Sequence, residues 1–269
     1  MNDAPFAPSP PSPLSPCAFR SFGRPQGSAP TLVLSHSLGA DSSMWEPQFP
    51  AFSNEFHIVA LDTRGHGASQ VPTAPYSLPM LAADLLAVLD QLNVDRFHFC
   101  GLSMGGLIGQ WLGCFAGERL RRLVLCNTAA RVGSEASWSE RIHRVREQGM
   151  APLADQVVPN WFSPDFAARE PNRFTHLLSV FKETDPTGYI GCCSALKSAD
   201  LRAHISTIRT PTLVVGGELD RSTPAAESQW LHDRLAYAEL FLLPQAGHLS
   251  NLDRAELFTD RVLGFLCGR

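Results

Sequence analysis

The stretch Gly101-Leu102-Ser103-Met104-Gly105 decides the fold of this chain. It follows an apolar run, 96–100, and precedes a glycine-tolerant helical run, 106–114, so it predicts a strand, a sharp turn and a helix. Such a turn holds its central residue in a strained conformation, and the flanking glycines avoid collisions with the neighbouring strand and helix. We therefore predict that Ser103 is a nucleophile at the carboxyl end of a sheet. A serine without a catalytic role in a glycine-rich turn would give the same sequence.

Two partner candidates follow strands later in the chain. The run 212–215 leads towards Asp220, and the run 239–243 leads into a loop that contains His248. The chain order Ser, Asp, His is that of a catalytic triad on a parallel sheet, with His248 as the base and Asp220 as the acid that orients it. Asp220 could instead cap the next helix, and Glu218 is the alternative acid.

An acyl-transfer site also needs N–H donors that stabilise an oxyanion. Met104 directly follows the nucleophile and is predicted to supply one donor. The apolar run 31–35 leads into the loop 36–39, whose small residues let a ligand approach the backbone, so Leu38 is predicted to supply the second. We expect His36 to hydrogen-bond to the backbone and hold this loop.

Composition excludes several classes of protein. The 269 residues are 44% hydrophobic, enough for a large core, and the net charge of -4 without a basic cluster argues against nucleic-acid binding. No apolar stretch approaches the roughly 20 residues that span a bilayer, and no secretory leader is apparent, so we expect no membrane partner and a soluble, cytoplasmic protein. No Cys or His pattern suggests a metal site, and we expect no cofactor.

Hydrophobic runs alternate with helical patterns, such as 77–92, and predict a doubly wound, mostly parallel α/β sheet. The predicted strands are 31–35, 57–61, 96–100, 123–127, 212–215 and 239–243. We assign residues 17–130 and 200–269 to this core. The proline-rich segment 1–16 is predicted to be a disordered arm, and the proline-broken helices of 131–199 an inserted helical cap.

A cap after the strand 123–127 would lie over the carboxyl ends of the strands, where ligands of open α/β sheets bind. Its candidate substrate contacts are Arg131, Trp138 and Trp161. Ordinary packing would explain either tryptophan equally well, and Arg131 could be a solvated surface residue.

Five segments of the core resemble the 3-oxoadipate enol-lactonases of the α/β-hydrolase superfamily: 32–39, 61–69, 97–111, 123–130 and 246–252. The resemblance extends into the cap at 138–146, 161–162 and 188–201, which the wider superfamily does not share. Two features depart from that family: His36 stands where Asn is frequent, and the proline-rich arm stands where a first strand is found.

The resemblance implies the α/β-hydrolase fold and hydrolysis of 3-oxoadipate enol-lactone to 3-oxoadipate in the degradation of aromatic compounds. It places the nucleophile at Ser103, the acid at Asp220, the base at His248 and the oxyanion donors at Leu38 and Met104. The substrate is a small lactone with a carboxylate, and we expect a cation to bind that carboxylate, with Arg131 as the candidate.

Three other functions fit the same residues. A carbon-carbon bond hydrolase of ring-cleavage products uses the same triad, and a generic carboxylesterase needs no further feature. A small-molecule receptor without turnover is the alternative from another class. Dehalogenases and epoxide hydrolases are disfavoured, because they need a carboxylate where this chain has Ser103.

Overall fold

A computed structural model describes residues 9–12 and 15–269 of the chain. Within these residues, seven strands form one sheet in the order β1-β3-β2-β4-β5-β6-β7. The strands are β1 (Phe19–Gly23), β2 (Thr31–Ser35), β3 (His57–Leu61), β4 (Phe97–Leu102), β5 (Leu120–Cys126), β6 (Thr212–Gly217) and β7 (Ala238–Leu243). The strands from β2 to β7 pair in parallel, and β1 pairs with β3 in the antiparallel direction.

Strands β2, β3, β4 and β6 are buried along their whole length, because helices cover both faces of a parallel sheet. This burial explains why their sequences are continuous apolar runs. The predicted α/β sheet is therefore confirmed, and β2 and β3 have the predicted bounds.

The edge strand β1 is absent from the sequence prediction. Its residues are mostly half-buried or exposed, so it carries no continuous apolar run. The described residues of the predicted arm lie near this edge. Ser9 forms a bridge with Phe19, and the buried Ser15 donates its hydroxyl proton to the Asp84 carbonyl at 3.1 Å. Residues 1–8 and 13–14 lie outside the described residues.

Helices pack on the sheet between the strands. The predicted helix 77–92 is observed at Leu78–Gln91, and it begins where the Ser77 hydroxyl accepts the Met80 N–H. The core helices are α1 (Phe49–Ser53), α2 (Leu78–Gln91), α3 (Met104–Phe115), α9 (Ala225–His232), α10 (Ser250–Asp253) and α11 (Ala255–Cys267).

The chain between β5 and β6 carries a further set of helices, which we call the cap. They are α4 (Glu135–Gln148), α5 (Ala151–Val157), α6 (Phe166–Arg169), α7 (Pro171–Glu183) and α8 (Pro186–Ser198), with a 3-10 turn at Val158–Trp161. Helix α4 packs against α8. None of the helices in the described part of the chain has the length and apolar character to cross a membrane.

Candidate active site

Ser103 lies at the turn between β4 and α3. Its backbone has φ 58° and ψ -111°, a conformation that non-glycine residues rarely adopt. A Cβ at Gly105 would come within 2.3 Å of the Ser35 carbonyl oxygen, so the close approach of this turn to β2 requires glycine there. The predicted strand, turn and helix are therefore present.

Strand β5 and the residues after it fix this turn. The Ser103 N–H donates to the Cys126 carbonyl at 2.9 Å, and the Ser103 carbonyl accepts the Thr128 hydroxyl at 2.9 Å. Because both main-chain polar groups are bonded, the strained backbone has little freedom to relax. Ser103 is a buried residue, with 8% of its surface exposed.

His248 and Asp220 form a buried hydrogen-bonded pair, with 2.9 Å between Nδ1 of the imidazole and Oδ2 of the carboxylate. They follow β7 and β6, so both lie at the carboxyl edge of the sheet where Ser103 follows β4. Among the described residues, the Ser103 hydroxyl makes no hydrogen bond to His248; such contacts are often long without substrate. Glu218, the alternative acid, is exposed and accepts the Gln245 N–H instead.

Asp220 is held as a carboxylate. Its Oδ1 accepts the N–H groups of Ser222 and Thr223 at 2.8 and 3.0 Å, and its Oδ2 also accepts the Thr223 hydroxyl. Burial acts to raise the pKa of Asp220, but the charge of His248 and the hydrogen bonds that Asp220 accepts lower it to about 2. The group beside the imidazole is therefore an anion at neutral pH.

Asn127 is a functional residue that the sequence analysis placed at the end of a strand without a role. It has φ 45°, outside β5, and its Nδ2 donates to Asp220 Oδ2 at 2.9 Å and to the Gly247 carbonyl at 3.2 Å. Asn127 thus links the acid to the loop that carries His248. The available signal was a polar residue directly after an apolar strand at the ligand-binding edge of the sheet.

The loop after β2 is shaped by two histidines. His36 donates from Nδ1 to the Ser37 carbonyl and accepts the Thr63 N–H at Nε2, so it holds the loop as predicted. His66, for which the sequence predicted no role, accepts the Gly39 N–H at 3.0 Å. Burial and the charge of His36 lower the pKa of His66 to about 3, so this ring is a neutral acceptor at neutral pH.

The two predicted oxyanion donors remain available. Met104 is the first residue of α3, where a helix N–H has no partner within the helix. In the loop after β2, the Ser37 N–H faces the Met44 sulfur and the Gly39 N–H is bonded to His66. Within the described part of the chain, neither Leu38 nor Met104 has a protein acceptor for its N–H.

A cavity of about 510 Å³ lies between the cap and the loop after Asp220. Trp138 and Trp161 line it, as do Arg141, Arg144 and Arg221, whereas Ser103 and His248 do not. The two tryptophans predicted to contact substrate are therefore in the wall of this cavity.

Arg131, the predicted contact of the substrate carboxylate, has a partner of its own in the structure. It does not line this cavity, and its guanidinium pairs with Asp200 at 3.6 Å in a contact where each side chain is more than a third exposed. The following residues, Val132 and Gly133, take the chain to the cavity wall instead. The role of Arg131 as a substrate contact stays a prediction.

Asp253 joins the cap to the His248 loop. Its side chain is fully buried, and its Oδ2 accepts the N–H groups of Ser163 and Gly247 at 2.7 and 2.8 Å. Its Oδ1 accepts Arg169 from the cap at 2.9 Å. One carboxylate therefore ties cap backbone, cap side chain and catalytic loop together.

The described residues contain no group of three or more His, Cys, Asp or Glu side chains that could hold a metal ion. What the site offers is a serine hydroxyl, an imidazole paired with a carboxylate, and two free N–H groups near the turn. Such a set supports nucleophilic attack on a carbonyl with acid-base assistance.

The family model of the alpha/beta hydrolase family matches residues 32–261. The chain is 38% identical to 3-oxoadipate enol-lactonase 2 of Acinetobacter baylyi, over 91% of this chain and 90% of the relative.

Solved structures give the same result. The crystal structure of the enol-lactonase from Burkholderia xenovorans superimposes with a TM-score of 0.91 at 43% identity, covering 93% of this chain and 96% of that one. A hydrolase from Pseudomonas aeruginosa gives 0.92 at 39% identity, covering 98% and 99%. The chain belongs to the alpha/beta hydrolase family, and the enol-lactonases are members to which it is similar over nearly its whole length.

Proposed function

We propose that this protein hydrolyses 3-oxoadipate enol-lactone to 3-oxoadipate, with Ser103 as nucleophile, His248 as general base and acid, and Asp220 as the group that orients the imidazole. Leu38 and Met104 donate their N–H groups to the oxyanion. Trp138 forms part of the wall that the substrate contacts.

The first half of the reaction opens the ring. His248 takes the proton of the Ser103 hydroxyl as the oxygen attacks the lactone carbonyl, and the carbonyl oxygen becomes an oxyanion bonded to the two N–H groups. Asp220, an anion at neutral pH, stabilises the imidazolium. The bond between the carbonyl carbon and the ring oxygen then breaks, and His248 returns the proton to the enol oxygen that leaves.

The second half releases the product. A water molecule gives a proton to His248 and attacks the acyl-serine carbonyl, and Ser103 leaves with that proton to regenerate the hydroxyl. The enol formed by ring opening tautomerises to a ketone, so the reverse reaction lacks its nucleophile. Ring opening is therefore hard to reverse, and acyl-enzyme hydrolysis completes the reaction.

The observation that carries this assignment is similarity to enol-lactonases over the cap as well as the core. Relatives named 3-oxoadipate enol-lactonase are 38% and 35% identical over 91% and 88% of this chain, a span that includes the cap helices. The triad and the turn at Ser103 serve many acyl-transfer reactions, so similarity that extends over the cap adds support for the substrate as well. Similarity in both parts supports the reaction and the substrate together.

The direct test is loss of the enol-lactone absorbance on adding the purified protein. We expect saturable hydrolysis by the wild type and a fall in kcat of about a million-fold in Ser103→Ala, a typical cost of losing such a nucleophile. Mass spectrometry of the quenched reaction should find an acyl adduct on Ser103. Absence of lactone turnover by a folded wild type would disprove the proposal.

The same assay distinguishes the alternatives when other substrates are supplied. Faster turnover of a ring-cleavage dienoate would favour a carbon-carbon bond hydrolase, and faster turnover of simple p-nitrophenyl esters a generic carboxylesterase. If Ser103→Ala keeps full function in cells, the protein acts as a receptor.

A further inference from the structure

The loop after β2 contains the Leu38 N–H that the proposed function assigns to the oxyanion. This loop is a tight turn, because the Ala40 N–H donates to the Ser37 carbonyl at 3.1 Å. Gly39 is the third residue of the turn and has φ 77°, as in a type II turn. Type I and type II turns differ mainly in the rotation of their central peptide, which here joins Leu38 to Gly39. The turn therefore needs a partner that fixes this peptide.

His66 is such a partner. Its Nε2 accepts the Gly39 N–H at 3.0 Å, and this N–H belongs to the central peptide of the turn. In the opposite orientation of the peptide, the Leu38 carbonyl oxygen would face the Nε2 lone pair, and two acceptors repel each other. The imidazole of His66 thus selects one of the two orientations.

The His66 ring is itself held in one tautomer. Because Nε2 accepts a proton, the ring proton lies on Nδ1, which donates to the Arg64 carbonyl at 3.4 Å. The Cys192 thiol of the cap helix α8 donates to the same carbonyl at 3.7 Å. The Arg64 guanidinium is in turn paired through two nitrogens with Asp84 on α2, at 2.5 and 2.6 Å. Core and cap together therefore fix the position of the ring.

The cap also covers the turn. A Cβ at Gly39 would lie 2.6 Å from the Phe181 ring and 3.2 Å from the Tyr189 ring, so both rings pack directly on this backbone. His66 bonds the turn and leaves the Leu38 N–H without a protein acceptor in the described part of the chain. The contacts that hold the turn thus keep this N–H available.

We propose that His66 is a positioning residue for the oxyanion: by accepting the Gly39 N–H it holds the turn in the orientation that keeps the Leu38 N–H in place. This inference rests on the proposed function and specifies how one of its oxyanion donors is held. Donors stabilise an oxyanion best when they are in position before the charge develops. Since the oxyanion exists only in the transition state and the intermediate, the loss of His66 should appear in kcat and not in KM.

The test compares two amides that differ in reach. The Oε1 of Gln in His66→Gln reaches the place of Nε2 and can accept the Gly39 N–H, whereas the shorter side chain in His66→Asn ends near Nδ1 and cannot. For His66→Asn we expect kcat on the enol-lactone to fall by roughly 10- to 100-fold, less than the loss of a donor outright, with KM within about three-fold. His66→Gln should stay within about five-fold of the wild type.

A second measurement separates oxyanion stabilisation from a general loss of structure. It compares p-nitrophenyl hexanoate with its thiono analogue, in which sulfur replaces the carbonyl oxygen. Sulfur is a weak acceptor, so the thiono ester gains little from the oxyanion donors. In His66→Asn the ratio of kcat/KM for the oxygen ester to that for the thiono ester should fall by about ten-fold, and in His66→Gln it should be kept. Damage to the fold alone would lower both esters equally.

The matched control is His98→Asn, which replaces another buried histidine. Burial and the charges of Arg121 and Arg122 lower the pKa of His98 to about 4, so this ring is also neutral at neutral pH. His98 lies at the amino end of β4, whereas Ser103 follows its carboxyl end, so the ratio of the two esters should not change. Equal kcat in His66→Asn and His66→Gln, or an unchanged ratio in His66→Asn, would overturn the inference. A fall of the ratio in His98→Asn as large as in His66→Asn would also overturn it.

Two further comparisons guard against misfolding and against failure of the proposed function. If His66→Asn does not fold, His66→Phe, which keeps a ring but has no acceptor, must lower the ratio of the two esters relative to His66→Gln. If the wild type hydrolyses the p-nitrophenyl ester through Ser103 but leaves the lactone intact, the proposed function fails, while the ratio still decides the role of His66.

Discussion

Asp220 and Arg141 differ in how many hydrogen-bond partners the protein supplies to each of them. Asp220 accepts hydrogen bonds on both oxygens from backbone and side chains, and it pairs with His248. Arg141 lies beside two other arginines without an acid in the cavity wall, and the adjacent Tyr189 hydroxyl has no partner among the described residues. The two regions therefore differ in how far the protein itself satisfies their polar groups.

The difference is the one expected between a group that orients a catalytic side chain and a group that binds a ligand. A group that orients a catalytic imidazole must keep one geometry throughout the reaction, so the protein supplies all its partners. A group that binds substrate must be free to exchange partners, so its hydrogen bonds are left for the ligand.

We expect the largest effect on catalysis from Asp220→Asn, which changes the hydrogen bonds around the catalytic acid. Either orientation of the amide points its NH₂ at existing donors: at the N–H groups of Ser222 and Thr223, or at His248 Nδ1. The imidazole is then driven to the wrong tautomer, and we expect kcat to fall about 10⁴-fold with little change in KM. Steady-state kinetics on the lactone measures both.

The control for that variant is Glu218→Gln. Glu218 is exposed and bonded to the Gln245 N–H, so its loss should change kcat by less than about two-fold. The assignment of the acid would be reversed by a large effect in Glu218→Gln and a small one in Asp220→Asn.

Asp253→Asn tests the connection between the two regions. The amide cannot accept from both Ser163 and Gly247 and still accept from Arg169, so buried donors lose their partner. We expect unfolding to become easier by about 3 kcal/mol, a fall in Tm of roughly 6–12 °C. Because Gly247 precedes His248, kcat should fall as well.

Asp165→Asn is the matched control, since Asp165 bonds the same Ser163 hydroxyl and pairs with the same Arg169 but lies in solvent. Calorimetry of both variants should show a small change for Asp165→Asn. Equal changes in the two would mean that burial of Asp253 is not what fastens the cap to the catalytic loop.

The smallest effect concerns acid stability. The pKa of Asp220 is lowered to about 2 in the folded protein, below the ordinary value that it regains on unfolding. Its contribution of ~2 kcal/mol to the free energy of unfolding is therefore present above about pH 4 and is lost as the pH falls from there towards 2. Urea unfolding at pH 6 and pH 3 measures this loss, and Asp220→Asn should reduce it. An identical loss in both proteins would contradict the linkage.

Sequence reasoning recovered the features that depend on neighbours along the chain. The buried parallel strands are continuous apolar runs, and the glycines around Ser103 mark the turn, so the sheet and the positions of Ser103, Asp220 and His248 could be predicted. The edge strand β1 was missed because it is half-exposed and lacks such a run.

Features that depend on distant contacts could not be predicted. Asn127 meets Asp220 only after β5 and β6 pair, and Asp253 gains its role from cap residues ninety and eighty-four positions away in sequence. Arg131 and Arg141 are both arginines near the cap, and only the fold shows which one lies in the cavity wall. Side-chain direction, not residue type, separates them.

The backbone at position 103 has a consequence for how such enzymes diverge. Position 103 has φ 58° and ψ -111°, so the shape of the side chain limits which residues this turn accepts. A β-branched side chain such as Thr would crowd the backbone, whereas the unbranched side chains of Ser, Cys and Asp would crowd it little. The scaffold can therefore exchange one small nucleophile for another at a single position and so change reaction class. Substrate range can evolve separately, through the cap, without disturbing the turn that holds the reactive atom.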